Sequence, residues 1–173
     1  MQKIILKNGL IAGLAVSIFM VCSMAYVYNS EHAEGSMLIG YVSMLAAFSF
    51  VFIGIKNYRD KVADGKITFF TAFKIGIAIS AIASLMYVIA WGIEYHFFMP
   101  DFLDKYILSE IEKLQKLNLP TAELDAKIKE IEQSRGLYDN VFSFAGITFA
   151  EIFPVGLLVT IISSLILKNN KSA

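Results

Sequence analysis

Residues Val141 to Leu167 read VFSFAGITFAEIFPVGLLVTIISSLIL. The run is apolar throughout except for one acid, Glu151, and it carries one proline, Pro154, three positions later. A helix needs about 20 predominantly apolar residues to cross the hydrocarbon core of a bilayer. The stretch therefore predicts a membrane-spanning helix, and the same plan recurs three times upstream.

Composition agrees. The chain has 173 residues, 57% of them hydrophobic and 17% charged, with a mean hydropathy of +0.62. Soluble domains carry about 25% charged residues, and here the deficit is concentrated in long uncharged windows. The formal net charge is zero, so no global field draws the chain to nucleic acid. The single cysteine, Cys22, lies in an apolar run. It has no intrachain disulfide partner, and without a second Cys or a nearby His it is a poor zinc ligand.

Taken in order, span one covers about residues 4–28. Lys3 and Lys7 precede the uncharged run Asn8 to Tyr28. A secretory leader begins similarly, and Ser23-Met24-Ala25 imitates a cleavage site, but the run exceeds the 7–15 residues of a leader core. An uncleaved span is expected. Gly9, Gly13 and Ser17 follow one another at four-residue spacing, which lets another helix approach closely. The polar stretch Asn29 to Ser36 has no Lys or Arg. Span two is expected over 37–55, with Gly40, Ser43, Ala47 and Gly54 near one face. It ends at Lys56-Asn57-Tyr58-Arg59-Asp60-Lys61, before a turn at Asp64-Gly65-Lys66.

Span three is expected over about 70–98, entered through an interfacial start at Ile67 to Phe73. Lys74 marks the inner edge, where its long side chain snorkels to water. Trp91, Tyr95, Phe97 and Phe98 suggest an aromatic belt at the far side. Gly76, Ser80 and Ser84 form a further small-residue stripe. Residues 100–140 are the only long polar segment. Leu103, Ile107, Ile111 and Leu114 recur at helical spacing. Pro120 interrupts, and Leu124, Ile128 and Ile131 recur again. Glu112–Lys116, Glu123–Lys127 and Asp125–Lys129 have the acid-first i,i+4 order that supports a helix. Two amphipathic helices joined at Asn118-Leu119-Pro120 are expected, folded on each other or on the membrane surface. Span four covers 141–167.

The basic residues set the orientation. With four spans, Lys3 and Lys7, the set Lys56, Arg59, Lys61 and Lys66, and the terminal Lys168 and Lys171 share one side, with Lys74 nearby. The first connection carries no basic residue, and the long hairpin holds more acids than bases. The positive-inside rule then places both termini in the cytoplasm and the hairpin outside it. The expected architecture is all-α: a single polytopic membrane domain of four transmembrane helices, with an extracytoplasmic helical hairpin between the third and fourth.

With this layout, the chain resembles a bacterial family of small membrane proteins known as domain of unknown function 4199. The likeness spans nearly the whole chain. It rests on Gly54-Ile55-Lys56-Asn57-Tyr58-Arg59-Asp60, on Lys66-Ile67-Thr68-Phe69 with Ala72-Phe73-Lys74, on Phe98-Met99-Pro100-Asp101-Phe102, and on Glu151 with Pro154-Val155-Gly156-Leu157. The resemblance implies the topology and carries no activity.

Glu151 is the sharpest candidate for function. Counted between Asn140 and Lys168 it lies a few residues from the middle of its helix. Lys74 and Lys7 are roughly 20 Å or more away by helix rise. A carboxyl at that depth is expected to be neutral, paired or turned toward a polar cavity. Pro154 has no N–H to give the carbonyl of Ala150, so a carboxyl and a freed carbonyl adjoin, with Thr148 one turn before. Such a group suits a proton or a cation. It equally suits a hydrogen bond to a neighbouring helix that fixes packing, or an interfacial place alongside Glu94. Lys74, with Lys56 and Arg59, reads as an inner-edge anchor. Glu94 and His96 read as outer-edge groups, with Glu31, His32 and Glu34 on the same side. Two histidines without ligand spacing do not make a metal site.

No G-x-x-x-x-G-K-[ST], H-E-x-x-H or G-x-S-x-G occurs in the chain, and the serines in the spans have no histidine at matching depth to activate them. The reading is thus a non-enzymatic inner-membrane protein without cofactor. Its expected role is that of an accessory, structural or assembly subunit, as a homo-oligomer or within a larger membrane complex. The alternative is a small proton- or cation-coupled transporter or channel using Glu151. An enzyme acting on lipid ranks last.

Overall fold

The computed structural model describes residues 1–29, 37–117, 119–138 and 140–169, with Met37 and Ser134 as backbone only. The polar connection with Glu31, His32 and Glu34 lies outside the described residues, as do Asn118 and Lys171. Six helices form: α1 (Gln2–Asn29), α2 (Met37–Val62), α3 (Phe69–Phe98), α4 (Phe102–Gln115), α5 (Thr121–Tyr138) and α6 (Val141–Leu167). No strand forms among the described residues. Four of the helices, α1, α2, α3 and α6, are long and apolar enough to cross a membrane.

The helix ends follow local chemistry. Thr68 precedes α3 and its Oγ1 accepts the N–H of Thr71 at 3.2 Å, an N-cap. Asn140 does the same for α6, accepting from Phe142 at 2.8 Å and Ser143 at 3.4 Å. α2 runs seven residues past the expected end of span two. Ile55 is where the apolar run stops, but Lys56 to Val62 still close their helical bonds, because a helix satisfies its backbone in water as in lipid. It ends where Asp64 and Gly65 adopt positive φ, 47° and 78°. Gly65 then returns its N–H to the carbonyl of Arg59 at 2.9 Å, a helix-terminating bond.

The chain forms two compact units. The first comprises Met1–Trp91 and Thr148–Ala173, the second Gly92–Ile147. Within the first, glycines set the packing. Gly9 faces Ile82 and Gly13 faces Met86, so α1 and α3 run parallel. Gly76 faces Thr160 while Gly156 faces Ser80, so α3 and α6 run antiparallel. Ile55 reaches Gly76 and Phe48 reaches Gly156, which places α2 against both. The core consists of Phe48, Val51, Ile55, Ile75, Ile79 and Ile152 with smaller neighbours. Ile67, expected at an interface, is buried, and its carbonyl accepts the N–H of Asn169 at 2.9 Å. That bond holds the entry to α3 beside the exit from α6. Trp91, expected in an aromatic belt, is turned inward.

In the second unit α4 and α5 lie antiparallel, joined by Arg135 and Asp104 at 2.7 Å. Leu103 and Ile107 of the apolar stripe on α4 are buried, and Leu124, Ile128 and Ile131 on α5 are partly so. Glu123 and Lys127 pair at 3.4 Å. Tyr95, expected in an aromatic belt, joins a ring cluster, with Phe144 at 5.1 Å, Tyr138 at 6.0 Å and Phe102 at 6.4 Å. Phe97 and Phe98 remain exposed.

Candidate functional site

The interior of the first unit is not purely apolar. Ser80 on α3 donates to the carbonyl of Gly156 at 3.1 Å and lies 3.1 Å from the hydroxyl of Thr160. One turn on, Ser164 donates to the carbonyl of Thr160 at 2.7 Å. These groups are buried, as are Ser84 and Ser17, whose hydroxyls have no partner among the described residues. Gly76 and Ser80 therefore serve the contact with α6. Gly9, Gly13 and Ser17 likewise lie on the buried face of α1. The stripes on α1 and α3 meet helices of the same chain at Gly9, Gly13, Gly76 and Ser80, whereas Gly40 of α2 has nothing within 4 Å of its Cβ position.

Glu151 stands apart from this seam. It is exposed on α6, as are Ala150, Pro154 and Leu158. Thr148 is buried, 3% exposed. The three residues expected to form one polar site thus divide between two faces of one helix: Glu151 and Pro154 outward, Thr148 inward. α6 continues through Pro154. Among the described residues Glu151 makes no hydrogen bond or ion pair. A carboxyl on the outer face of a membrane-crossing helix meets lipid or a partner, and lipid is costly for it.

Glu94, read as an outer-edge residue, is buried at 5% exposed, and its Oε2 has no partner among the described residues. Its position near the end of a span carries no sign of this burial. Its neighbour His96 is exposed, with Nδ1 2.9 Å from the carbonyl of Gly92, and packs edge-on against Phe144 at 5.4 Å. His96 and Glu94 therefore do not act as one group. Among the described residues no three of His, Cys, Asp and Glu gather as a metal site would require.

A groove of about 390 Å³ runs between α1 and α2, lined by Ala15, Phe19, Val42 and Phe50 among others. Its one hydroxyl, Ser43, is turned to the carbonyl of Gly40 at 2.6 Å. Its chemistry is that of an acyl-chain surface, not of an ion path. At the end of the first unit where α1 begins, Lys56 and Lys74 are exposed and Arg59 pairs with Asp60 at 2.6 Å.

Four apolar helices around a small-residue seam define a multi-pass α-helical membrane protein. The chain belongs to the family described as Protein of unknown function (DUF4199), which matches residues 7–169. Comparison with curated proteins and with solved structures finds no match.

Proposed function

We propose that this integral membrane protein is a non-enzymatic accessory, structural or assembly subunit. It would reside in the bacterial cytoplasmic membrane with both termini in the cytoplasm and the α4–α5 hairpin outside it. The observation that carries the reading is the outward, unpartnered Glu151 on α6. Its face continues through Pro154, which carries no long side chain, to the exposed Leu158 and Ile162, a surface over which another helix can lie. The buried stripes on α1 and α3, which the sequence offered as docking faces, do not support assembly, because their partners are internal.

The alternative, a proton- or cation-coupled transporter or channel, asks Glu151 to line a hydrated path. In one copy it faces away from the core, so any such path would have to lie between copies. The discriminating experiment places a photo-crosslinking residue at Leu158 or Ile162 on the α6 face, and at Leu14 on the exposed side of α1 as control. Discrete adducts from α6 alone, to a second copy or to another membrane protein, support the subunit reading. Adducts with lipid only, at all three positions, overturn it.

A further inference from the structure

One end of the first unit is strongly basic. It gathers Lys3 and Lys7 of α1, Lys56, Arg59 and Lys61 of α2, Lys66 of the turn, Lys74 of α3 and Lys168 after α6. The acids there are Asp60, taken by Arg59, and Asp64. Packing fixes the relative depth of three of these cations. Asn8 adjoins Gly54, and Gly76 adjoins both Ile55 and Thr160. Lys7, Lys56 and Lys74 are each within two residues of those contacts, on the side nearer the chain ends. Lys56 and Lys74 stand at nearly one level on α2 and α3, while Lys7 on α1 lies about 9 Å deeper, because Gly9 meets Ile82 rather than the start of α3. Each is exposed, and none closes an ion pair among the described residues.

We propose that Lys7, Lys56 and Lys74 form a collar that binds the phosphate groups of anionic phospholipids. Three features support this. The ammonium is a compact charge on a flexible stem, suited to a phosphodiester oxygen at a membrane surface. Exposed apolar residues lie immediately on the bilayer side of two of the lysines: Leu10 and Leu14 past Lys7, and Ile53 before Lys56. A headgroup and its acyl chains thus meet charge and grease in the right order along each helix. Among the described residues the cations at this end outnumber the two acids, Asp60 and Asp64, so an anionic surface would find net positive charge there. Attraction of basic residues to an anionic leaflet is additive and weakened by salt.

The test uses the full chain in mild detergent, titrated with phosphatidylglycerol or phosphatidylcholine, with bound lipids counted by native mass spectrometry. Wild type is expected to prefer phosphatidylglycerol by about 10-fold or more. The preference should vanish in K7Q/K56Q/K74Q and persist in K7R/K56R/K74R. Each single Gln variant should lower it partway, which keeps the test valid if the triple Gln chain does not fold. Equal binding of the two lipids by wild type, or an undiminished preference in the Gln variants, overturns the proposal. So does full displacement of phosphatidylglycerol by millimolar inorganic phosphate, which would make free phosphate the ligand. The outcome is independent of whether α6 docks a partner.

Discussion

The hydroxyl of Ser80 and that of Thr160 lie 3.1 Å apart in the interior of the first unit, and Ser80 also donates to the carbonyl of Gly156. Polar side chains between membrane helices are worth about 0.6 kcal/mol on average, because the separated helices also find partners. Ser80→Ala and Thr160→Val should each destabilise modestly. A double-mutant cycle read by steric-trap or denaturant unfolding in bicelles should give a coupling near ~0.6 kcal/mol and below about 2 kcal/mol. A coupling indistinguishable from zero would mean that Ser80 relies on the Gly156 carbonyl alone.

Close approach matters more than those hydrogen bonds. A Cβ on Gly76 would fall 2.7 Å from Thr160 Cγ2, and one on Gly156 would fall 2.8 Å from both the Phe48 ring and Ser80 Cβ. Gly76→Ala and Gly156→Ala should each cost about 1–3 kcal/mol by overpacking. Gly146 has nothing within 4 Å of its Cβ position. Gly146→Ala should leave the thermal midpoint of the isolated chain unchanged. Equal effects at the three positions would contradict the α3–α6 packing described above.

Much of this fold was legible in the sequence because lipid imposes a simple rule on composition. Uncharged windows longer than a bilayer's width can be counted, and Pro120 and Asp64-Gly65 punctuate the chain where their chemistry leads one to expect; the caps at Thr68 and Asn140 were not read in advance. Direction was harder to read. Thr148 and Glu151 are three residues apart, and nothing in their spacing says which one turns inward. That depends on which neighbours claim α6, and they come from distant parts of the chain: Ser80, which meets Gly156, lies 76 residues before it. The packing face of Gly9 and Gly13 was legible as a face, but not as one already filled by α3. The burial of Glu94 was not legible either, since an acid near the end of a span normally marks water.

Glu94 allows a clean substitution test. A buried polar atom without a partner costs about 1–3 kcal/mol, and replacing it by an apolar group of similar shape removes that cost. Glu94→Leu should therefore be neutral or stabilising in thermal melts of the purified protein. Glu94→Ala should destabilise by leaving a void. If Glu94→Leu instead lowers stability by several kcal/mol, the carboxyl is held by a partner such as an internal water or ion, and Glu94 becomes the leading site residue.

The Asp104–Arg135 pair joins α4 to α5 through two side chains that are each about half exposed, at 56% and 52%. Exposed pairs contribute about 0–1 kcal/mol. Arg135→Ala should shift stability by less than ~1 kcal/mol, and less still in high salt. The apolar stripe should matter more: Ile107→Ala, which truncates a buried side chain, should cost about 2–5 kcal/mol. Protease resistance of the hairpin should follow the same ranking. Arg135→Ala outweighing Ile107→Ala would show that charge rather than burial holds the two helices together.

The proposed orientation makes a prediction at two positions far apart in the chain. α3 has 30 residues, which at 1.5 Å each reach about 45 Å, enough to cross the hydrocarbon core once. The basic turn before it and the polar segment after it should then lie on opposite sides. Cysteines introduced at Lys61 and at Lys113, in a Cys22→Ala background, should react differently with a membrane-impermeant maleimide. In intact spheroplasts Lys113→Cys should be labelled at once and Lys61→Cys only after permeabilisation. The reverse order would invert the molecule and place the basic collar on the outer leaflet. Equal labelling before permeabilisation would mean that α3 does not cross, and the four-span reading would fail with it.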